Sequence, residues 1–164
     1  MLKIAVVDDE KVYIDQIQEY IRQYSAEKKR EIQTETFCDG SALLENYSPR
    51  FDIILLDIEM GKLNGMETAR EIRKKDQDVV LVFITNMAQY AINGYDVGAL
   101  DYVLKPINYY TFSVRLDRAV SRAKKRQPEE ILLNLPDGIK RLKVDRIHYV
   151  EVQNRMLHYH TEDG

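Results

Sequence analysis

Residues 51–57 have the sequence Phe51-Asp-Ile-Ile-Leu-Leu-Asp57, a short apolar run that ends at an acidic residue. Runs of this length that are rich in branched aliphatic side chains are typical of strands buried on both faces of a sheet. Leu2–Val7 and Val79–Ile84 have the same character, and polar residues follow each of them. We therefore predict at least three buried strands, with Asp57 at the carboxyl end of one.

The segments between these runs have the period of helices. Tyr13, Ile17 and Tyr20 recur at three- and four-residue steps, which predicts one buried helix face. Further helices are predicted by Leu43, Leu44 and Tyr47, by Met66, Ala69 and Ile72, weakly by Gln89 to Ile92, and by Tyr109, Phe112, Leu116, Ala119 and Ala123. With strands at Ile32–Phe37 and Asp101–Leu104, five strands alternate with five helices. This order predicts an α/β fold, a five-stranded parallel sheet that is doubly wound and flavodoxin-like.

The composition is that of a globular protein with 45% hydrophobic and 31% charged residues. The net charge of -3 gives no bulk attraction to nucleic acid. The single cysteine, Cys38, has no partner for an internal disulfide, and we expect it to be a buried or half-buried side chain. No apolar run reaches the roughly 18 residues of a membrane span. We therefore expect a cytoplasmic protein without a membrane partner.

The composition changes after Leu116. Arg122–Pro128 is charged and ends in a proline, which is typical of a helix end and linker. The residues beyond it form short strand-like segments separated by turn residues, at Ile131–Leu135, Ile139–Val144, His148–Val152 and Leu157–Thr161. We predict a first domain at 1–122, a linker at 123–128 and a short β-rich segment at 129–164.

Polar side chains follow four of the predicted strands. Asp8-Asp9-Glu10 follows the first strand, Asp57 the third, Thr85 the fourth and Lys105 the fifth. The carboxyl ends of parallel strands meet at one edge of a sheet, so we expect these side chains to lie together.

This set of side chains predicts a metal-dependent phosphoryl acceptor. Clustered carboxylates stay ionised only beside a cation, and Asp8, Asp9 and Asp57 offer the hard oxygen ligands that suit Mg²⁺. A carboxylate can act as a nucleophile and accept a phosphoryl group. The ammonium of Lys105 and the hydroxyl of Thr85 can hold the phosphoryl oxygens.

Residues 1–122 resemble the receiver (CheY-like) domain of bacterial response regulators. The resemblance lies in a combination of motifs, namely Asp8-Asp9, Leu-Leu-Asp57-Ile-Glu-Met, Asn64-Gly65, Thr85 and Asp101-Tyr-Val-Leu-Lys105-Pro106. It implies that Asp57 is the phosphoacceptor. It also implies that Asp9 binds Mg²⁺ directly, that Asp8 acts through water, and that the backbone carbonyl of Glu59 is the remaining protein ligand.

The same resemblance assigns roles at the ends of the last two strands. Thr85 and Lys105 would contact the phosphoryl group, and Tyr102 would be the switch aromatic. The Lys105-Pro106 peptide bond is expected to be cis. The chain departs from the family at Asn86, where a small residue is usual.

The resemblance further implies a partner and an output. A sensor histidine kinase would donate the phosphoryl group, and activation would produce a homodimer through the surface of the weak helix, the fifth strand and the last helix. The protein is then not an enzyme but a switch between two populations of conformers.

Residues 129–164 resemble the opening of a LytTR-type DNA-binding domain. The matching stretches are Pro136-Asp-Gly138-Ile-Lys-Arg-Leu, Asp145-Arg-Ile-His-Tyr-Val-Glu151 and His158-Tyr-His-Thr-Glu-Asp-Gly164. This segment contains seven acidic and five Lys or Arg residues, which is a poor footprint for DNA. The resemblance implies that the full-length parent binds DNA and that this segment alone does not.

Three other classes of protein remain as alternatives. An aspartyl-phosphate phosphatase would also use an Asp, Mg²⁺ and a Lys, but Asp8 is followed by Asp9 and Glu10 rather than by an Asp two residues on. A dinucleotide-binding protein would need a glycine-rich phosphate loop after a strand, and the sequence has none. A receiver acting alone through protein contacts would lack the segment at 129–164.

Overall fold

The computed structural model describes residues 1–91, 96–125, 130–136 and 138–161. The chain divides into two compact units, Met1–Lys124 and Lys125–Gly164. The first unit contains β1 (Leu2–Val7), α1 (Lys11–Lys28), β2 (Ile32–Phe37), α2 (Gly40–Leu44), β3 (Ile53–Leu56), α3 (Gly65–Lys75), β4 (Val80–Thr85), a 3-10 helix (Ala88–Ala91), β5 (Asp101–Leu104) and α4 (Tyr109–Lys124).

The five strands of the first unit form one sheet in the order β2-β1-β3-β4-β5. Every neighbouring pair is parallel. Every residue of β3 and β4 is buried, as expected for strands covered on both faces. The prediction of a five-stranded parallel α/β sheet is confirmed.

Two apolar clusters cover the two faces of this sheet. Alternate residues of a strand point to opposite faces, so Ile4 belongs to one cluster and Ala5 to the other. The first cluster contains residues of α1 and α4, including Tyr24 and Leu116. The second contains residues of α2 and α3, including Ile72. Helices therefore pack on both faces, and the sheet is doubly wound.

The Asn64-Gly65 pair marks the start of α3. Asn64 is the N-cap residue, its side chain accepts the backbone N–H of Glu67, and the Glu67 side chain accepts the backbone N–H of Asn64. A Cβ at Gly65 would lie 2.1 Å from the backbone oxygen of Asp57. Glycine therefore allows α3 to begin directly against the loop that carries Asp57.

The region after β4 differs from expectation. The weak helix predicted from Gln89 to Ile92 is a 3-10 helix at Ala88–Ala91, and Ile92 lies outside the described residues. A helix this short has poorer hydrogen-bond geometry than an α-helix, and 3-10 turns of three or four residues are common connectors. Cys38 also differs, since it is exposed rather than buried or half-buried. It follows β2 at the point where the chain leaves the sheet.

The described residues of the second unit form two antiparallel hairpins. The first pairs β6 (Glu130–Leu135) with β7 (Gly138–Lys143), and the second pairs β8 (Ile147–Gln153) with β9 (Met156–Thr161). Residues 126–128 of the expected linker lie outside the described part of the chain, as do 137 and 162–164 of the expected motifs. The short strand-like segments are thus present as strands, each within a few residues of its expected bounds.

None of the described helices has the length and apolar character needed to cross a membrane.

Candidate functional site at the carboxyl edge of the sheet

The strand order brings the predicted site residues to one edge of the sheet. The backbone continues the ladder just past the strand ends, because Asp57 N–H donates to Val7 O at 2.9 Å and Lys105 N–H donates to Thr85 O at 3.0 Å. Asp8 N–H likewise donates to Phe37 O at 3.2 Å. These bonds fix the main chain beneath each functional side chain.

Four carboxylates meet at this edge. Asp8, Asp9, Glu10 and Asp57 each offer an oxygen within 4.8 Å of the others. Asp8 is 1% exposed and Asp57 3% exposed, whereas Asp9 and Glu10 are exposed to solvent. The pocket therefore has a buried floor and an open acidic rim.

Backbone N–H groups orient the two buried carboxylates. Glu10 N–H donates to Asp8 Oδ1 at 2.9 Å. Glu59 N–H donates to Asp57 Oδ1 at 3.3 Å, which places the Glu59 backbone beside the acidic pocket. Glu10 is a site residue that the predicted set omitted, although the run Asp8-Asp9-Glu10 already placed a third acid there.

Lys105 projects into this pocket with its side chain fully buried. Its Nζ lies 2.8 Å from Asp8 Oδ2, 3.3 Å from Asp57 Oδ2 and 3.7 Å from Glu10 Oε1. The ammonium is thus shared among carboxylates from two other strand ends. The Lys105-Pro106 peptide bond is cis, as the sequence predicted.

The electrostatics of the pocket depend on burial and on this lysine. Burial raises the pKa of Asp57 above its usual value, the charge of Lys105 opposes that rise, and the charge of Asp8 adds to it. Burial alone would lower the pKa of Lys105, but its hydrogen bond with Asp8 and the charges of Asp57 and Asp8 raise that pKa overall. Lys105 therefore stays charged. Any further cation that enters the pocket would favour the ionised form of Asp57.

Thr85 and Tyr102 lie on neighbouring strands. Thr85 is fully buried at the end of β4, and its Oγ1 accepts the backbone N–H of Met87 at 3.2 Å. Tyr102 packs on Phe83 with ring centroids 6.0 Å apart, and its hydroxyl donates to the backbone carbonyl of Met87. The loop at Met87 is therefore tied both to Thr85 and to Tyr102.

The donor set of the pocket fits Mg²⁺. All four acids present oxygen, which is the ligand that Mg²⁺ prefers, and two of them face solvent and leave room for its waters. The buried pair, Asp8 and Asp57, shares a single ammonium, so the pocket as a whole has an excess of negative charge.

A family comparison agrees with this fold. The chain belongs to the response regulator receiver family, because the family model described as response regulator receiver domain matches residues 4–117. It therefore carries the receiver domain of a two-component system. The sensory transduction protein LytT of Bacillus cereus is 35% identical over 133 residues, which are 80% of this chain and 50% of that protein. The transcriptional regulatory protein BtsR of Escherichia coli is 26% identical over 147 residues, which are 87% of this chain and 56% of that protein.

The chain thus spans about half the length of the curated relatives it matches. Solved receiver structures match the first unit. One is the response regulator TrrA of Thermotoga maritima in complex with Mg²⁺-BeF, with a TM-score of 0.63 and 28% identity, covering 73% of this chain and 99% of that one. Another, a response regulator receiver domain protein of Clostridium thermocellum, has a TM-score of 0.65 and 25% identity, covering 76% of this chain and 98% of that one.

Proposed function

We propose that Asp57 accepts a phosphoryl group from a sensor histidine kinase and thereby switches the output of a longer response regulator. The observation that carries this proposal is the meeting of Asp57, Lys105 and the acidic rim in one open pocket. Asp57 lies in the buried floor of this pocket, so a donor group would reach it past the exposed acids Asp9 and Glu10.

The transfer exchanges one phosphorus bond for another. An Asp57 carboxylate oxygen attacks the phosphorus of the phosphohistidine, the P–N bond breaks, and the imidazole nitrogen leaves with the electron pair. The product is an acyl phosphate on Asp57. Because one molecule accepts one phosphoryl group, we propose that the chain is a stoichiometric acceptor rather than an enzyme that turns over a free substrate.

The chain's own residues orient this step. Asp8, Asp9, Asp57 and the backbone carbonyl of Glu59 would hold Mg²⁺, which when bound offsets the charge on the phosphoryl oxygens. The ammonium of Lys105 lies 3.3 Å from Asp57 Oδ2. It can therefore contact an oxygen of a phosphoryl group that is attached to Asp57. Thr85 offers its hydroxyl from the end of β4.

The switch follows from the contacts of the Met87 loop. The Thr85 hydroxyl can donate to a phosphoryl oxygen while its Oγ1 accepts the backbone N–H of Met87, so a phosphoryl group that drew Thr85 inward would move the Met87 loop with it. Tyr102 holds the carbonyl of the same residue, so a change at Thr85 reaches the exposed face of β5 through Tyr102. The phosphoryl group would therefore shift a pre-existing population of conformers.

The face of β5 and α4 suits a homodimer contact. Leu104 is 50% exposed, Tyr110 79% and Val114 50%, which are large apolar side chains left in solvent. Arg115 and Arg118 approach the Asp101 carboxylate at 3.1 and 3.3 Å beside them. We place activation-dependent dimerisation on this face.

The proposed role in transcription concerns the second unit. Its hairpins suit the opening of a LytTR-type domain, and two relatives bear the names of a sensory transduction protein and a transcriptional regulatory protein. We propose that the full-length parent binds DNA in the cytoplasm, whereas the segment at 129–164 does not bind DNA by itself. A gel-shift assay with the isolated chain and with the full-length parent tests this difference.

The phosphoryl acceptor is tested with acetyl phosphate and Mg²⁺, followed by intact mass. The wild-type chain should gain one phosphoryl group, Asp57→Asn should gain none, and Asp15→Asn, which changes an exposed acid of α1, should match wild type. Size-exclusion chromatography with beryllofluoride and Mg²⁺ should show a dimer for wild type only. Equal labelling of wild type and Asp57→Asn would refute the assignment, and sustained hydrolysis of a generic phosphate ester would favour a phosphatase.

A further inference from the structure

The ring of Tyr13 lies against the ammonium of Lys105. Lys105 Nζ is 3.8 Å from the centroid of the Tyr13 ring, which is well inside the range of a cation–π contact. Tyr13 is partly buried on α1, one turn after the acidic run at Asp8. The ring face therefore contacts the same ammonium as the carboxylates of Asp8 and Asp57.

The same face of α1 holds the chain just beyond Lys105. Tyr20 Oη donates to the backbone carbonyl of Ile107 at 3.1 Å, and Gln16 Nε2 approaches that carbonyl at 3.5 Å. Tyr13, Gln16 and Tyr20 are spaced by three and four residues, so they lie in a row along the helix. One helix face thus contacts both the ammonium of Lys105 and the backbone two residues later.

We propose that Tyr13 is a positioning residue of the phosphoryl-acceptor site, acting through the face of its ring on the ammonium of Lys105. This proposal rests on the proposed role of Asp57 as phosphoacceptor. It assigns to the ring, and not to the hydroxyl, the task of keeping Nζ over the pocket.

The physical reason is the freedom of a lysine side chain. An ammonium on four methylenes can point in several directions, and it gains no fixed geometry from a single carboxylate. Here the carboxylates of Asp8 and Asp57 and the electron-rich face of the Tyr13 ring all contact Nζ. Removal of the ring leaves the carboxylate contacts but opens a wider range of lysine conformers, fewer of which reach a phosphoryl oxygen on Asp57.

The test compares Tyr13→Leu with Tyr13→Phe in the whole chain. The initial rate of labelling by acetyl phosphate with saturating Mg²⁺ should fall about three- to tenfold in Tyr13→Leu, a range that matches an ordinary cation–π contact. Tyr13→Phe keeps the ring and should stay within about twofold of wild type, since a cation–π contact does not need the hydroxyl. Val12→Ala, at a side chain of the same helix that is 69% exposed, serves as the control and should label like wild type.

Two equilibrium measurements separate positioning from a general loss of structure. Titration calorimetry should show weaker beryllofluoride binding to Tyr13→Leu in the presence of Mg²⁺, because Lys105 contacts the phosphoryl mimic. Binding of Mg²⁺ alone should stay within about twofold of wild type, since the carboxylates remain in place.

Each remaining outcome overturns the proposal. Equal rates for Tyr13→Leu and wild type would show that the ring has no role. Parallel loss of Mg²⁺ and beryllofluoride binding would show that Tyr13 supports the pocket only as packing. Slow labelling of Tyr13→Phe would assign the effect to the hydroxyl. Failure of the wild-type chain itself to label at Asp57 is a separate result, which refutes the proposed function and this inference with it.

Discussion

The two units of the chain bury their strands to very different degrees. In the first unit every residue of β3 and β4 is buried, and helices cover both faces of the sheet. Among the described residues of the second unit, from 130 to 161, none is buried. The first unit therefore contains a core of its own, whereas the second consists of two hairpins with solvent on most of their surface.

This difference in strand burial indicates which unit can form a pocket with a buried floor. A pocket with a buried floor needs strands that are held from both sides, and the acidic pocket lies at the edge of such a sheet. An isolated two-stranded hairpin is only marginally stable, and its exposed apolar residues are available to other surfaces. Leu132, Ile139 and Val152 are more than half exposed in the hairpins. The hairpins thus leave large apolar side chains in solvent, whereas the first unit has the buried floor that the acidic pocket needs.

The largest expected effect comes from a matched pair of truncations, one in each unit. Leu81→Ala in β4 removes a side chain with 0% exposure and should lower the free energy of unfolding by about 2–5 kcal/mol. Val152→Ala in β8 changes a side chain that is 73% exposed and should change it by less than about 0.5 kcal/mol. Urea denaturation followed by circular dichroism measures both. Equal losses of unfolding free energy in the two variants would contradict the difference between the units.

The next prediction concerns two glycines that flank the pocket loop. Gly65→Ala would place a Cβ 2.1 Å from the backbone oxygen of Asp57, so α3 or the loop must shift, at a cost of about 1–3 kcal/mol. The same shift should slow labelling by acetyl phosphate, because it displaces the acceptor. Gly61→Ala, whose Cβ would meet nothing within 4 Å, is the matched control and should leave stability and labelling near wild type. If Gly65→Ala kept wild-type stability and labelling, α3 would not be fixed against the Asp57 loop.

The sequence was sufficient to predict the strands and the edge of the sheet at which the site lies. Runs such as Leu2–Val7 predict the buried strands, and the rule that parallel strand ends meet predicts that Asp57 and Lys105 lie together, as they do at 3.3 Å. The roles of the individual side chains come from the resemblance of 1–122 to receiver domains and stay predictions. The positions of the strand ends could be predicted because they depend on backbone order, which the apolar pattern fixes.

Side-chain detail was not accessible in the same way. Periodicity placed Tyr13 on the inner face of α1, but the atom that its ring meets depends on the conformation of Lys105, which no pattern encodes. The region after β4 also escaped prediction, since four residues of weak helical character are equally compatible with the observed 3-10 helix at Ala88–Ala91.

A smaller effect is expected from the contact that joins α1 to α4. Tyr24 is fully buried and its hydroxyl donates to Asp117 Oδ1 at 2.6 Å. Tyr24→Phe should lower the free energy of unfolding by about 1 kcal/mol at neutral pH, which is the typical net value of a hydrogen bond. Tyr110→Phe, at a side chain that is 79% exposed, should have no effect.

The same contact gives the prediction a pH dependence. The hydrogen bond from Tyr24, followed by that from Lys28, holds the pKa of Asp117 below its usual value. A carboxyl group with a depressed pKa contributes stability above its unfolded pKa, about 3.9 for Asp, and loses it as the pH falls through the folded value. Below about pH 4 the difference between wild type and Tyr24→Phe should therefore shrink. A difference that grows on acidification would contradict this assignment.

The smallest effect should come from the largest deletion. Among the described residues, both apolar clusters of the first unit are built from residues between Leu2 and Ala123. A chain ending at Lys124 should therefore differ from the full chain by less than about 1 kcal/mol in the unfolding of the receiver unit, since hairpins of this kind are marginal by themselves. Urea unfolding with labelling at Asp57 as a second readout measures both stability and pocket integrity. A deletion that destabilised the receiver by several kcal/mol, or that abolished labelling, would show that the two units fold as one, because only a shared core could transmit such a loss.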